Sequence, residues 1–354
     1  MFVVCLKSNT SRFYVEKRFK GESFPHARSE IEMIYKLRQG SLMNYVNAFI
    51  DESSRVASLY VEFCDLGDLS DVIKVYSKHH LDNRYPNDTE PAMVPEHFVW
   101  HVFVGLCDGL AFLQGGRQFL KTAEDDMDAD PNWTPILHRD IKPDNVLLRS
   151  RTTLGSDRYP YCVLSDFGLA CCIDKDPYAG PGALGTSVYF APELCYFPYP
   201  KTRQQMRYFP QDQRHTVKSD LWALGACVYN LAKLNYQGSN FFTHIDWASR
   251  SKHQDVYLGE EGSGWNTAKI GRITPLTVPG KYTMLLTEEV ERATTLNPSE
   301  RPDPINMMRH LKKALNHKVL KGLGPNEKLP EWALRKHEYH AIAEKEIAKL
   351  EGRN

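Results

Sequence analysis

Two short stretches hold the residues best suited to chemistry. His138-Arg139-Asp140-Ile141-Lys142-Pro143-Asp144-Asn145 packs carboxylates, a lysine and an amide into one run, and Asp166-Phe167-Gly168 follows the apolar segment Cys162-Val163-Leu164. A carboxylate can take a proton from a reacting hydroxyl, and hard divalent cations prefer oxygen ligands of this kind. Aspartates also form turns with no chemical role, which is the plain alternative for Asp140 and Asp166.

Three further motifs follow in order. They are Ala191-Pro192-Glu193, preceded by Gly185-Thr186 and Tyr189; Lys218-Ser219-Asp220-Leu221-Trp222-Ala223-Leu224-Gly225; and Pro298-Ser299-Glu300-Arg301-Pro302. Any one of these could be chance, but the complete set in this order and near this spacing is not. The chain resembles the eukaryotic protein kinases over about residues 1 to 315, most strongly from 138 to 225. Lys142 and the Gly185-Thr186 pair are of the serine/threonine type. Ser29-Glu30, and Leu59-Tyr60-Val61-Glu62-Phe63-Cys64 followed by Gly67-Asp68-Leu69, look most like the NIMA-related group.

The resemblance implies an α+β, bilobal fold and transfer of the γ-phosphoryl of Mg-ATP to Ser/Thr hydroxyls of a protein. That reaction asks for charge neutralisation, in-line positioning and a base that orients the acceptor hydroxyl. By resemblance Asp140 is the base and Lys142 sits near the γ-phosphate. Asn145 and Asp166 would hold Mg²⁺. Lys17 would contact the α- and β-phosphates, with Lys7 as its rival. Glu30 would be the ion-pair partner of Lys17, with Glu32 as the alternative and an ordinary exposed glutamate as the plain reading. Val61 would be the gatekeeper, the backbone of Glu62 and Cys64 would bind the adenine edge, and Asp68 would reach the ribose. Leu147 is expected as the adenine floor, with Leu148 nearby; plain core is the other reading for Val61 and Leu147. Glu193 with Arg301, Asp220, and His138 with Phe167 resemble the scaffold that aligns these groups.

The elements that must position these residues can be read from pattern. Phe2 to Leu6 and Phe13 to Phe19 read as strands joined by a hairpin at Ser8-Asn9-Thr10. Apolar Ile31, Met33, Ile34 and Leu37 predict a helix from Ser29 to Leu37, and the short Lys17-to-Glu30 interval predicts that it starts late. Strands follow near Tyr45 to Ile50 and Val56 to Phe63, and Glu62 to Gly67 is a plausible hinge. Asp68 to Ser77 reads as a short helix, and His79 to Pro95 as a loop, with His79-His80 lacking metal-ligand company. Glu96 to Gln114 is an amphipathic helix and 115 to 135 an acidic loop without the order of a calcium-binding EF-hand. Asn145 to Leu148 and Tyr161 to Leu164 form a hairpin whose turn holds Gly155-Ser156-Asp157. Leu221 to Leu231 is a core helix, and Trp332 to Leu350 reads as a surface helix. The expected organisation is an incomplete small lobe at 1–64, a large lobe at 65–316 and a charged, partly helical tail at 317–354.

Composition narrows the classes. The chain has 354 residues with 44 basic and 44 acidic side chains, which argues against a general nucleic-acid or membrane-surface binder. No apolar run approaches a membrane span of roughly 18 residues. The 8 cysteines form no CxxC pair and suit reduced thiols in a cytosolic or nuclear protein. MFVVCLKSNT lacks a signal-peptide layout. A protein substrate is expected, without nucleic acid or membrane; the oligomeric state is not legible.

Three departures from the family pattern stand out. No G-x-G-x-x-G precedes the first strand, so the phosphate lid is expected to be absent, with weaker ATP binding and water leaking to the γ-phosphate. Val15 stands where alanine usually leaves room for adenine. Between Gly168 and Gly185 the only hydroxyl is that of Tyr178, and Gly180-Pro181-Gly182 occupies the usual phosphosite, so phosphorylation there is not the expected switch. The alternative to an active kinase is a scaffold on a kinase fold, or a weakly active fragment of a kinase.

Overall fold

The computed structural model describes residues 1–82, 93–123, 126–151, 159–173, 184–195, 215–234, 282–295, 297–323 and 328–334, with 245–246, 272–273 and 276. The hairpin turn at 155–157, the segment around Tyr178, Glu124 and Asp125 and the tail helix expected beyond 334 lie outside the described residues.

The N-terminal part is a four-stranded antiparallel sheet. Strand β1 (Phe2–Leu6) pairs with β2 (Asn9–Lys20), and β4 (Val56–Glu62) lies between β2 and β3 (Tyr45–Asp51). Register decides which side chains meet. Val15 faces Val61 and Lys17 faces Leu59, while Glu16 faces Tyr60 and Arg18 faces Ser58. Because strand side chains alternate, Lys17 shares the inner face with Ala57, Leu59 and Val61, which are buried, and Glu16 falls on the outer face. Helix α1 (Phe24–Lys36) packs across the inner face through buried Ala27, Ile31, Met33 and Ile34. It starts earlier than Ser29, contrary to the expectation of a late start. Pro25 in the first turn suits a helix N-terminus, and the apolar rhythm begins only a turn later.

The C-terminal part is helical. Helix α2 (Leu69–Asp82) continues past Ser77, so His79 and His80 are helical rather than in a loop. Helices α3 (Glu96–Gly115) and α5 (Val217–Lys233) form the centre, with a short α4 (Pro192–Cys195) between them in sequence; α6 (Met284–Ala293) and α7 (Pro304–Leu315) pack around that centre. A Cβ at Gly225 of α5 would lie 2.6 Å from the Thr294 methyl, so glycine lets the chain beyond α6 approach closely. Helix α3 is long and apolar enough to cross a membrane, with a window of mean hydropathy 1.4, which the absence of a long apolar run did not lead one to expect. Since 83% of that window is buried inside the protein, α3 is a core helix.

Two small antiparallel pairs complete the cleft. β5 (Ile136–Leu137) pairs with β8 (Cys171–Cys172), and β6 (Val146–Arg149) pairs with β7 (Tyr161–Leu164). Among the described residues, two of the junctions between the parts are made by backbone. One connection is covalent, at 62–68, where Leu66 N–H donates to Leu148 O and Leu148 N–H to Gly67 O. The other is the loop after α1: Leu164 N–H donates to Ser41 O at 2.8 Å and Met43 N–H to Leu164 O at 2.9 Å. Buried Gln39 reinforces this loop by donating to Asp108 of α3 at 2.8 Å. Near the C-terminal end, Trp332 stacks on His79 at 3.8 Å and lies 4.8 Å from the Tyr76 ring, tying residues 328–334 to α2.

Candidate active site

Lys17 sits on β2 with its ammonium between two carboxylates, 2.7 Å from Glu30 and 3.1 Å from Asp166. Burial opposes its charge, but Glu30 and Asp166 together hold it protonated above the usual lysine range. Glu30 is buried on α1, whereas Glu32 is exposed, so helical phase separates the two candidates. Lys7 lies in the exposed turn between β1 and β2.

The catalytic-loop candidates converge on Asp140. Its carboxylate accepts from Lys142 Nζ at 2.8 Å, Thr186 Oγ1 at 2.7 Å and Asn145 Nδ2 at 3.1 Å. Burial works against ionisation, yet the Lys142, Thr186 and Asn145 donors keep this carboxyl below its ordinary range. Asn145 Nδ2 also donates to Asp140 O at 2.7 Å. With Nδ2 spent on Asp140, Oδ1 is the Asn145 atom left for a cation. Together with the half-exposed Asp166 carboxylate it gives an all-oxygen donor pair, which suits Mg²⁺ whose other ligands are water and phosphate.

Backbone strain marks the same place. Arg139 has φ +70° and Asp166 φ +61°, a left-handed conformation costing about 1–3 kcal/mol for residues other than glycine. The surroundings hold both. Asp220 at the start of α5 accepts from His138 N–H at 2.7 Å and Arg139 N–H at 3.0 Å, while Ser165 N–H donates to Asn145 O at 2.8 Å. Burial pushes Asp220 up to about 6, an effect these two amides partly offset. His138 lies 4.8 Å from the Phe167 ring, edge on, and its Nε2 meets Ser165 O at 2.9 Å; burial brings it down to about 4, so it is neutral. Arg301 is 1% exposed and forms a two-pronged ion pair with Glu193 at 2.8 and 3.0 Å.

The adenine-side candidates line the junction of the two parts. Val61 is nearly buried; Leu147 is half-buried, whereas Leu148 is sealed in the core. Burial pushes the Cys64 thiol up to about 12, which leaves it unreactive. Asp68 accepts from Asp71 N–H at 2.8 Å, so one carboxylate oxygen is engaged with the first turn of α2. The Glu62 side chain accepts from Asn44 N–H and Nδ2 at 3.1 and 2.9 Å and pairs with Arg149, a structural use that the sequence pattern does not signal. The Thr186 hydroxyl was legible only as half of a Gly-Thr pair. Gln39 and Asp108 carried no signal, because they meet across 69 residues of sequence.

The protein kinase domain model matches residues 2–310. The chain belongs to the protein kinase family. It is 25% identical over 289 residues to the G2-specific protein kinase nimA of Emericella nidulans, an alignment spanning 79% of this chain and 34% of that protein. To the serine/threonine-protein kinase Nek2 of Mus musculus it is 29% identical over 206 residues, spanning 58% of this chain and 36% of that one. These relatives agree with the NIMA-related character read from Ser29-Glu30 and the stretch from Leu59 to Cys64. The chain thus spans between 34% and 36% of the length of these two relatives. Among solved structures, the yeast RNA Pol II CTD kinase CTDK-1 complex superposes with a TM-score of 0.54 at 16% identity, covering 91% of this chain and 90% of that one, which establishes the bilobal α+β fold.

Proposed function

We propose that the chain is a serine/threonine protein kinase that moves the γ-phosphoryl of Mg-ATP to a protein hydroxyl. The observation that carries this is the convergence of Lys17, Glu30 and Asp166 within 3.1 Å contacts, beside an Asp140 carboxylate held by Lys142 and Asn145. Lys17, kept charged by its two carboxylates, is suited to a phosphate oxygen. Asp140, kept ionised, is suited to orient and deprotonate a serine or threonine hydroxyl. Asn145 Oδ1 and Asp166 would hold Mg²⁺, which supplies charge neutralisation on the phosphates when bound. Val61, Leu147 and the backbone of Glu62 and Cys64 would receive adenine, and Asp68 the ribose. We take 1–64 as the small lobe, 65–316 as the large lobe and 317–354 as a tail. Free thiols at Cys64, Cys107, Cys162 and Cys227 support a cytosolic or nuclear setting.

Incubation of the chain with labelled ATP, Mg²⁺ and mixed Ser/Thr peptides tests this. Transfer is expected to require Mg²⁺ and to disappear in Asp140→Asn and Asp166→Asn. Absence of transfer together with absence of an ATP-dependent thermal shift would overturn the reading.

A further inference from the structure

His215 lies just ahead of helix α5 and is 8% exposed. Its Nε2 accepts a hydrogen bond from Leu184 N–H at 3.1 Å. The residues after Leu184 run directly into the site. Gly185 has φ +112°, and a Cβ there would lie 2.2 Å from Arg139 O, so its backbone is pressed against the catalytic loop. Thr186 follows, with its hydroxyl 2.7 Å from Asp140 and 2.9 Å from Lys142 Nζ. A shift at Leu184 therefore has little slack to absorb it before it reaches Thr186.

The start of α5 is a rigid place from which to hold this segment. Thr216 caps the helix in a reciprocal box with Ser219, at 3.2 Å from Ser219 N–H and 2.9 Å from Thr216 N–H to Ser219 Oγ. Asp220, on the first turn, grips the backbone of His138 and Arg139. One helix end thus holds both chains whose side chains meet at the Asp140–Thr186 hydrogen bond. Arg139, Asp140, Thr186, His215 and Asp220 line a single small pocket. The other end of the segment is held as well, by Arg139 Nε donating to Leu169 O at 2.6 Å.

We propose that His215 is a positioning residue, which by accepting the Leu184 amide sets Thr186 against Asp140 and so orders the acceptor side of the site without a phosphorylated Ser or Thr in the segment. No Ser or Thr stands between Gly168 and Gly185 to carry such a phosphate. The acceptor role needs a neutral imidazole, and burial with the adjacent Arg139 charge brings His215 down to about 4. The proposal rests on the kinase reading above.

The test compares His215→Phe, which keeps an aromatic ring but removes the acceptor, with His215→Gln, whose amide oxygen reaches the position of Nε2. His215→Phe is expected to lower kcat for peptide phosphorylation about tenfold with KM for ATP unchanged, the scale of one lost hydrogen bond. His215→Gln should recover most of that rate. Amide exchange at Leu184 should accelerate in the Phe variant and return to the unaltered level in the Gln variant. Phe within twofold of the unaltered chain with Leu184 still protected, or Gln no better than Phe, would overturn the proposal. If the Phe variant does not fold, His215→Asn, too short to reach, replaces it in the same comparison, and equal behaviour of Asn and Gln counts against the idea. If the unaltered chain neither transfers phosphate nor shows an ATP-dependent thermal shift, the kinase reading fails, and the exchange measurement still decides the role of His215.

Discussion

Lys17 is the residue on which the two parts of the site depend together. Its ammonium bridges a carboxylate on α1 and another beyond β7, at 2.7 and 3.1 Å. Lys17→Met is expected to cut kcat/KM for phosphotransfer at least about a hundredfold, since a preorganised charge aimed at the phosphates is lost. Glu30→Gln should fall in the same direction but less far, because Asp166 remains beside the lysine. Combining the two should cost less than the product of the single losses, as for groups acting in one contact; steady-state kinetics of the four forms check this. At this scale the sequence was informative wherever function is local. Asp140, Lys142 and Asn145 share one loop, so their types and spacing survive in the linear text. His215 and Leu184, or Gln39 and Asp108, meet only through folding, and no local pattern names them.

Elements decide how firmly these residues are held. The α1 helix was half legible: the apolar rhythm at Ile31, Met33 and Ile34 showed its inner face, but Phe24 to Arg28 carried too little periodicity to reveal the first turns. The end of α2 was missed for another reason. His79 looks polar in isolation, and its stacking partner Trp332 lies far along the chain. Behind α1, Asp108 of α3 accepts from Gln39 at 2.8 Å and from Leu120 N–H at 2.7 Å. Asp108→Ala is expected to cost about 1–3 kcal/mol in chemical unfolding, because the buried Gln39 amide and the Leu120 N–H lose their acceptor. The outer face of the sheet makes a separate prediction. Glu16 accepts from Arg18 and Ser58 at 2.8 Å and from Tyr60 at 3.0 Å, and the Arg18 hydrogen bond leads in holding it at about 2 against an ordinary 4.5. A carboxyl lowered in the folded state stabilises it fully above the ordinary value and loses that contribution as pH falls toward 2. Thermal melts of the unaltered chain should therefore fall across that acid window, and Glu16→Gln should flatten the fall.

For the whole molecule, the deepest fastening is Arg301, buried against Glu193 and lying 5.0 Å from the Trp222 ring. Glu193→Ala is expected to destabilise the chain by about 3–5 kcal/mol, since it strands a buried guanidinium, and a lowered melting temperature would register it. Glu193→Gln should cost less. The bilobal arrangement itself was legible because strand-like and helix-like patterns segregate along the chain, with the change at Gly67. What the pattern did not disclose is that the parts are joined at a second place, where Ser41 and Met43 bond to Leu164.

That second junction has a kinematic consequence. A body attached at one point can tilt in any direction, whereas a body attached at two can only swing about the line between them. With the connection at 62–68 as one backbone junction and the Leu42–Leu164 bridge as the other, rotation about the line between them is the expected mode of cleft opening. Leu164 adjoins Ser165 and Asp166, so the aspartate sits close to the axle. Such a rotation would move Asp166 little and would displace most the part of the sheet farthest from that line.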